Sequence, residues 1–302
     1  MDDNWTADGL WPFRPQWFDT PDGRLHYVDE GDPAAPAVVL IHGNPTWGFV
    51  YRAFIPPLVE AGFRVVVPDF LGFGRSDKPG DAALYRTENH VRRLSALLDS
   101  LDLHDVTVVP QDWGGLGLAW AVAHPERVSG LFILNTTVHN PELFRIPTPL
   151  KLFRTPLLGE LLVKGMAFMH RMFLFKVGTV HPERFTPAVR RAYLAPHPTW
   201  SSRAGVLAFP REIPTGPVGP IAGFLTDLEA GLRREFRGRR VWIVWPMNDV
   251  SFTPEMLETQ WQGTFPDATV IRLADAGHFM QEDAHERIVP ELLRFLARED
   301  RD

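Results

Sequence analysis

The chain has no cysteine, so disulfides, thiolate nucleophiles and zinc–thiolate sites are excluded. Tyrosine is scarce too, with Tyr27, Tyr51, Tyr85 and Tyr193 the full set of four. The net charge is −6, and Lys and Arg are spread along the sequence without the basic stripe that nucleic-acid binding requires. No apolar run approaches the ~18–20 residues that span a bilayer. The segment Met1-Asp2-Asp3-Asn4-Trp5 is acidic and lacks the charged-then-apolar order of a secretory signal. These absences give the expectation of a cytoplasmic chain with no nucleic-acid partner, no membrane partner, no metal and no cofactor. What the chain does have is apolar content. At 302 residues and 45% hydrophobic, it can build one large core, or one core with an inserted smaller module.

Strand and helix signals alternate over the first 135 residues. Arg24–Asp29 alternates polar and apolar, like an antiparallel strand with one wet face. Val38–Ile41, Arg64–Val67, Val106–Val109 and Leu131–Leu134 are short apolar runs of the kind that form buried parallel strands. Val50–Ala61, stopped by Gly62, and Thr87–Leu101, with Leu94, Leu97, Leu98 and Leu101 on one face, read as helices. This alternation implies a parallel sheet covered by helices on both faces. Residues 137–222 differ: they hold many prolines and no convincing strand, with helical stretches near Leu157–Phe175 and Pro187–Leu194. The sheet pattern resumes with a helix over Thr226–Phe236 and strands at Val241–Trp245 and Ala268–Leu273, and a helix over Asp283–Arg298 closes the chain. The domain division is therefore core (1–136), helical cap (137–222) and core again (223–302).

The chemistry concentrates at the ends of these strands. Val106–Val109 runs into Pro110-Gln111-Asp112-Trp113-Gly114-Gly115, a strand-to-helix corner carrying a carboxylate. Such corners hold the nucleophile of α/β-hydrolases, where esterases carry serine. A carboxylate nucleophile suits displacement at saturated carbon with a good leaving group. Asn44 follows another strand, Asp249 a third and His278 a fourth, where ligands of open parallel sheets bind. The order of nucleophile, acid and histidine is the order that α/β-hydrolases use.

The chain resembles the haloalkane dehalogenases of the α/β-hydrolase superfamily. The likeness rests on His42-Gly43-Asn44-Pro45-Thr46-Trp47, Pro68–Asp77, Gln111–Gly115, Phe209-Pro210-Arg211-Glu212-Ile213-Pro214 and Asp275-Ala276-Gly277-His278-Phe279. It implies an α/β-hydrolase fold, with a mostly parallel eight-stranded sheet flanked by helices and an inserted all-helical cap. The implied activity is hydrolysis of a small haloalkane to alcohol, halide and proton through an alkyl ester on Asp112. His278 would activate the water, with Asp249 holding its imidazole. The halide would rest between the side-chain amide of Asn44 and the indole of Trp113. The backbone N–H groups of the same two residues would serve the second oxyanion. Among dehalogenases the pattern is most like the third subfamily, with Asn/Trp halide donors and an Asp acid.

Some relatives take the acid from the position that is Asn135 here, which has no anion to offer. Others take a halide donor from a cap tryptophan; this cap has Trp200, while the segment resembling theirs reads Phe173-Leu174-Phe175-Lys176. Phe168, Phe173, Leu174, Phe175, Leu207 and Pro210 are candidates to line an alkyl pocket. His42, Asp69 and Asp77 read as loop-forming. Two other functions remain alternatives: an epoxide hydrolase, which would want two cap tyrosines where the cap has Tyr193 alone, and a non-catalytic small-ligand binder on the same fold. Self-association is left open.

Overall fold

Runs such as Ala37–Ile41 and Arg64–Pro68 are buried along their whole length, because each strand is covered on both faces. A computed structural model describes residues 6–139, 148–213 and 220–298. Its eight strands are β1 (Gln16–Thr20), β2 (Gly23–Glu30), β3 (Ala37–Ile41), β4 (Arg64–Pro68), β5 (Val106–Pro110), β6 (Val128–Ile133), β7 (Val241–Pro246) and β8 (Thr269–Leu273). They form one sheet in the order β1-β2-β4-β3-β5-β6-β7-β8. β2 pairs antiparallel with β1 and β4, and every later pairing is parallel.

Alternation along the strands splits the core into two layers. Val39, Ile41, Val66 and Val108 join one cluster, with Leu94 and Leu98 of α2 (Thr87–Ser100), Trp120 of α3 (Leu118–Ala123) and Leu232 of α7 (Pro220–Phe236). Val38, Leu40, Val65 and Val67 join the other, with Leu58 of α1 (Ile55–Glu60) and Ile288 and Leu292 of α10 (Met280–Leu296). Between β6 and β7 the described residues contain no strand. They form α4 (Thr148–Arg154), α5 (Pro187–Leu194) and α6 (Ala204–Glu212), and then α7 leads back to the sheet. The short α8 (Pro254–Met256) and α9 (Gln262–Thr264) follow β7. Among the described residues no helix is long and apolar enough to cross a membrane.

Three helices differ from the sequence expectation. The Val50–Ala61 stretch is divided into a tight turn at Gly48–Tyr51 and α1, whose first turn holds Pro56 and Pro57. Proline has no N–H to donate inside a helix, so the helix restarts there. The Leu157–Phe175 stretch divides into wide π-type turns, Glu160–Gly165 and Met169–Val177, interrupted at Ala167 with φ 52°. α7 begins at Pro220 rather than Thr226, so it crosses the expected boundary at 222.

Candidate active site

Five chain segments leave the C-terminal ends of β3, β5, β6, β7 and β8, which lie side by side in the sheet. They carry Asn44, Asp112, Asn135, Asp249 and His278 to one place. Asp112 turns its corner with φ 50°, a left-handed conformation that side chains avoid and Asp tolerates better than most. Two glycines make the corner fit. A Cβ on Gly114 would stand 2.1 Å from the Ile41 carbonyl oxygen, and one on Gly43 would stand 2.3 Å from Asp112 Cβ. The Thr136 hydroxyl donates to the Asp112 carbonyl at 2.5 Å and fixes the corner from the β6 side.

The two oxygens of the Asp112 carboxylate have different surroundings. Oδ1 accepts the backbone N–H of Asn44 at 2.7 Å. Oδ2 lies 3.5 Å from His278 Nε2, an ion-pair distance rather than a hydrogen bond. The backbone N–H of Trp113, expected as a second donor, makes no hydrogen bond to the planar carboxylate. Donors of this kind are aimed at the oxygen of a tetrahedral intermediate, which lies elsewhere.

His278 is buried, and its Nδ1 lies 3.0 Å from Asp249 Oδ2 and 3.2 Å from Oδ1. Nδ1–H donates there, which leaves Nε2 facing Asp112. Burial opposes the imidazolium, but the charges of Asp249 and Asp112 outweigh it, and the pKa of His278 is pushed up to about 10. Asp249 is held in turn: its Oδ1 accepts the backbone N–H groups of Ser251 at 2.7 Å and Phe252 at 3.0 Å. Its Oδ2 accepts the side-chain amide of Asn135 at 2.7 Å. The same amide donates to the His278 carbonyl at 2.8 Å, and the Gln111 amide reaches that carbonyl at 3.2 Å.

Asn44 and Trp113 both line the cavity beside Asp112. Asn44 Nδ2 spends one hydrogen on the Val206 carbonyl at 3.3 Å, which orients the amide and leaves the second hydrogen without a partner among the described residues. The Trp113 indole stacks on Phe209 at 4.4 Å between centroids, and Phe209 stacks on His90 at 4.8 Å. The cavity encloses about 860 Å³ of empty space, its open mouth included. Leu116, Met169, Phe173, Pro210, Ile213, Ile221, Leu225 and Phe252 form its apolar walls.

A family model for the α/β-hydrolase fold matches residues 36–285. The chain belongs to the α/β-hydrolase family. Within that family it is 35% identical over 289 residues to haloalkane dehalogenase 2 of Mycobacterium tuberculosis, covering 94% of this chain and 95% of that one. It is also 35% identical over 293 residues to the cis-3-alkyl-4-alkyloxetan-2-one decarboxylase of Shewanella oneidensis, covering 96% and 90%. The solved haloalkane dehalogenase of Bradyrhizobium elkani superposes with TM-score 0.85 at 26% identity, over 95% of this chain and 98% of that one.

Several sequence expectations change at this point. Among the named pocket candidates, Phe173 and Pro210 line the cavity of this α/β-hydrolase. Phe168, Leu174, Phe175 and Leu207 do not. Phe168 packs on Phe153 at 5.6 Å, Phe175 on Phe185 at 5.3 Å, and Leu174 and Leu207 lie buried in the two core layers. An aromatic-rich helix turns most of its residues away from any one wall, and those residues serve the core. Trp200 is 48% exposed beneath the Lys164 ammonium and is no part of the cavity wall. His42 bonds within its own loops: Nδ1 to the Gly43 carbonyl at 2.8 Å and Nε2 from the Phe70 N–H at 3.1 Å. Asp69 is buried, accepting from Gly48 N at 2.7 Å and Arg75 N at 2.9 Å. Among the described residues no group of three or more metal-ligating side chains is placed to hold an ion.

Sequence reasoning assigned no role to Asn135 or Gln111. Asn135 has no charge to offer, but an amide at a strand exit beside an acid is a positioning signal. Gln111, next to the nucleophile in the sequence, offered a similar cue.

Proposed function

We propose that this chain hydrolyses carbon–halogen bonds of small, largely apolar haloalkanes. One observation carries the reading: the side chains of Asp112, Asn44 and Trp113 line one apolar cavity. Asp112 Oδ2 attacks the carbon from the side opposite the halogen. The carbon–halogen electron pair leaves on the halide, and Asn44 and Trp113 donate to the charge that develops there. Hydrogen bonds to a charged acceptor contribute roughly 1.5–3 kcal/mol each. Two such donors lower the barrier enough for about a thousandfold or more in rate.

The alkyl ester removes the charge of Asp112, and with it part of what holds the proton on His278. His278 releases that proton to solvent and, as neutral imidazole, takes one from the water whose oxygen attacks the ester carbonyl carbon. The Asn44 backbone N–H receives the oxyanion on Oδ1. Collapse expels the alkoxide, which regains a proton from His278, and Asp112 is restored with release of one proton overall. Asp249 stabilises the imidazolium throughout.

The Shewanella relative supports a second reading, in which the same carboxylate opens a four-membered lactone. Attack at the ring carbon bound to oxygen would break that bond and free a carboxylate. Loss of carbon dioxide would then form an alkene and expel Asp112, with no water consumed. An epoxide hydrolase reading is weaker. It needs phenolic acids at the nucleophile, and among the described residues no tyrosine lines the cavity. Tyr193 spends its hydroxyl on Glu282 at 2.5 Å.

The test is product analysis with short bromoalkanes and with a dialkyl β-lactone, using the parent and Asp112→Asn. Bromide and alcohol from the parent, and neither from the variant, support dehalogenation. Alkene and carbon dioxide from the lactone alone would replace it with the second reading. Turnover of neither substrate would leave a binding protein.

A further inference from the structure

His278 acts from a short loop, and the cap holds that loop on both sides of it. The Phe279 N–H donates to the Gly178 carbonyl of the cap at 2.9 Å. The Gly277 N–H donates to Asp283 Oδ2 at 2.8 Å. A Cβ on Gly277 would stand 2.8 Å from the Gly178 carbonyl oxygen, so this close approach requires glycine.

Asp283 is 2% exposed in the first turn of α10, and its carboxylate gathers four donors from two parts of the chain. Oδ2 takes the Val180 N–H at 3.1 Å as well as that of Gly277. Oδ1 takes the His181 N–H at 3.2 Å and the Thr179 hydroxyl. One oxygen therefore bridges the base loop and the cap. The next residue, Ala284, leaves the helical path with φ −149° and ψ 28°, which sets the turn carrying Asp283 apart from the body of α10. The bridged cap segment runs back through the Met169–Val177 turns to Phe173, whose ring packs on His278 at 5.1 Å and lines the cavity. Removing such a carboxylate leaves buried donors unpaired, so it fixes their spacing firmly.

We propose that Asp283 is a positioning residue that couples the seating of the cap to the placement of His278. The inference rests on the dehalogenase reading above and assigns Asp283 to its second step. Halide departure needs no base. Water attack needs Nε2 at a set distance from the ester carbon, and a misplacement of about 1 Å costs about a hundredfold in rate. Neighbouring Glu282 supplies a control. Its carboxylate takes the Tyr193 hydroxyl at 2.5 Å and Arg52 Nη2 at 2.8 Å, so it ties cap to core through partners outside the His278 loop.

The experiment follows first-turnover bromide release and alkyl-ester decay, the latter by intact mass spectrometry, in the parent, Asp283→Asn, Thr179→Val and Tyr193→Phe. Asp283→Asn sets an amide N–H2 against N–H groups that now donate to oxygen. Its ester decay should slow about tenfold to a hundredfold, while bromide release stays within about twofold of the parent. Thr179→Val keeps the side-chain shape and removes one bond on the cap side. It should slow decay about threefold, with bromide release again spared, and it decides the matter where Asp283→Asn fails to fold. Tyr193→Phe loosens the cap by another route and should leave decay within about twofold of the parent. Equal slowing of both phases in Asp283→Asn or Thr179→Val overturns the inference, as does decay at the parental rate in either. Tyr193→Phe slowing decay as much as Thr179→Val also overturns it, since any loosening of the cap would then suffice. No bromide from the parent removes the dehalogenase reading itself, a result distinct from any change in the ratio of the two phases.

Discussion

Asn135 donates its side-chain amide to Asp249 Oδ2 at 2.7 Å and so completes the set of donors around the acid that orients His278. The same amide ties the His278 carbonyl at 2.8 Å. Asn135→Leu keeps the volume and removes both bonds. A lost hydrogen bond to a charged group is worth roughly 1.5–3 kcal/mol. Turnover should therefore fall about tenfold to a hundredfold. If Asn135 positions the base, halide release in the first turnover should be spared and ester hydrolysis slowed. Rapid-mix bromide detection separates the two, and equal slowing of both phases would reduce Asn135 to a structural residue.

His278→Gln should form the alkyl ester and hydrolyse it slowly, because halide departure needs no proton donor whereas water attack needs a base. Intact mass spectrometry after mixing with a bromoalkane should show one alkyl adduct, lost on Asp112→Asn. No adduct, together with no first-turnover bromide, would contradict the two-step scheme.

The charge on His278 also sets a pH dependence of stability. Its pKa rises from 6.5 to about 10 on folding, since burial is outweighed by Asp249 and Asp112. A raised folded pKa contributes stability that is fully present below about 6.5 and is lost as pH climbs through about 10. The parent Tm should therefore decline across that window, and His278→Gln should lack this part of the decline. Identical curves for the two proteins would rule the assignment out.

The sheet was legible because its inner strands are short apolar runs, and a run such as Val106–Val109 fits a strand covered on both faces. β1 was missed for the opposite reason: Gln16–Thr20 is an edge strand, half-buried, without a clean alternation. The meeting of Asn44, Asp112, Asp249 and His278 was legible because each follows a strand. The cavity walls were not. Leu116, Met169, Ile213, Ile221, Leu225 and Phe252 come from both the core and the cap. Which side of a cap helix faces the cavity depends on how the cap seats, and the π-type turns around Ala167 shift that phase away from 3.6-residue spacing.

Gly43 is a second lever on the nucleophile. A methyl group there would stand 2.3 Å from Asp112 Oδ1 and drive the carboxylate off the Asn44 N–H. Removing one oxyanion donor costs about a hundredfold to a thousandfold in kcat. Gly43→Ala should show a loss of at least that order on bromoalkanes. A variant that folds with parental kcat would show that the Asn44 N–H bond is dispensable.

The stack of Trp113 on Phe209 at 4.4 Å fixes the plane of the indole, and so the line along which its N–H points. Trp113→Phe keeps an aromatic face for the stack and removes the donor. Phe209→Leu does the reverse, keeping the donor and freeing the ring. If the indole hydrogen receives the halide, Trp113→Phe should slow first-turnover bromide release about tenfold or more, the equivalent of one charge-assisted hydrogen bond. Phe209→Leu should cost less, because a mobile indole still reaches the leaving group part of the time. Bromide affinity, read from Trp fluorescence quenching, should weaken in both variants and more in Trp113→Phe. A Trp113→Phe protein that binds bromide and releases it at the parental rate would remove the indole from the mechanism and leave Asn44 as the single halide donor.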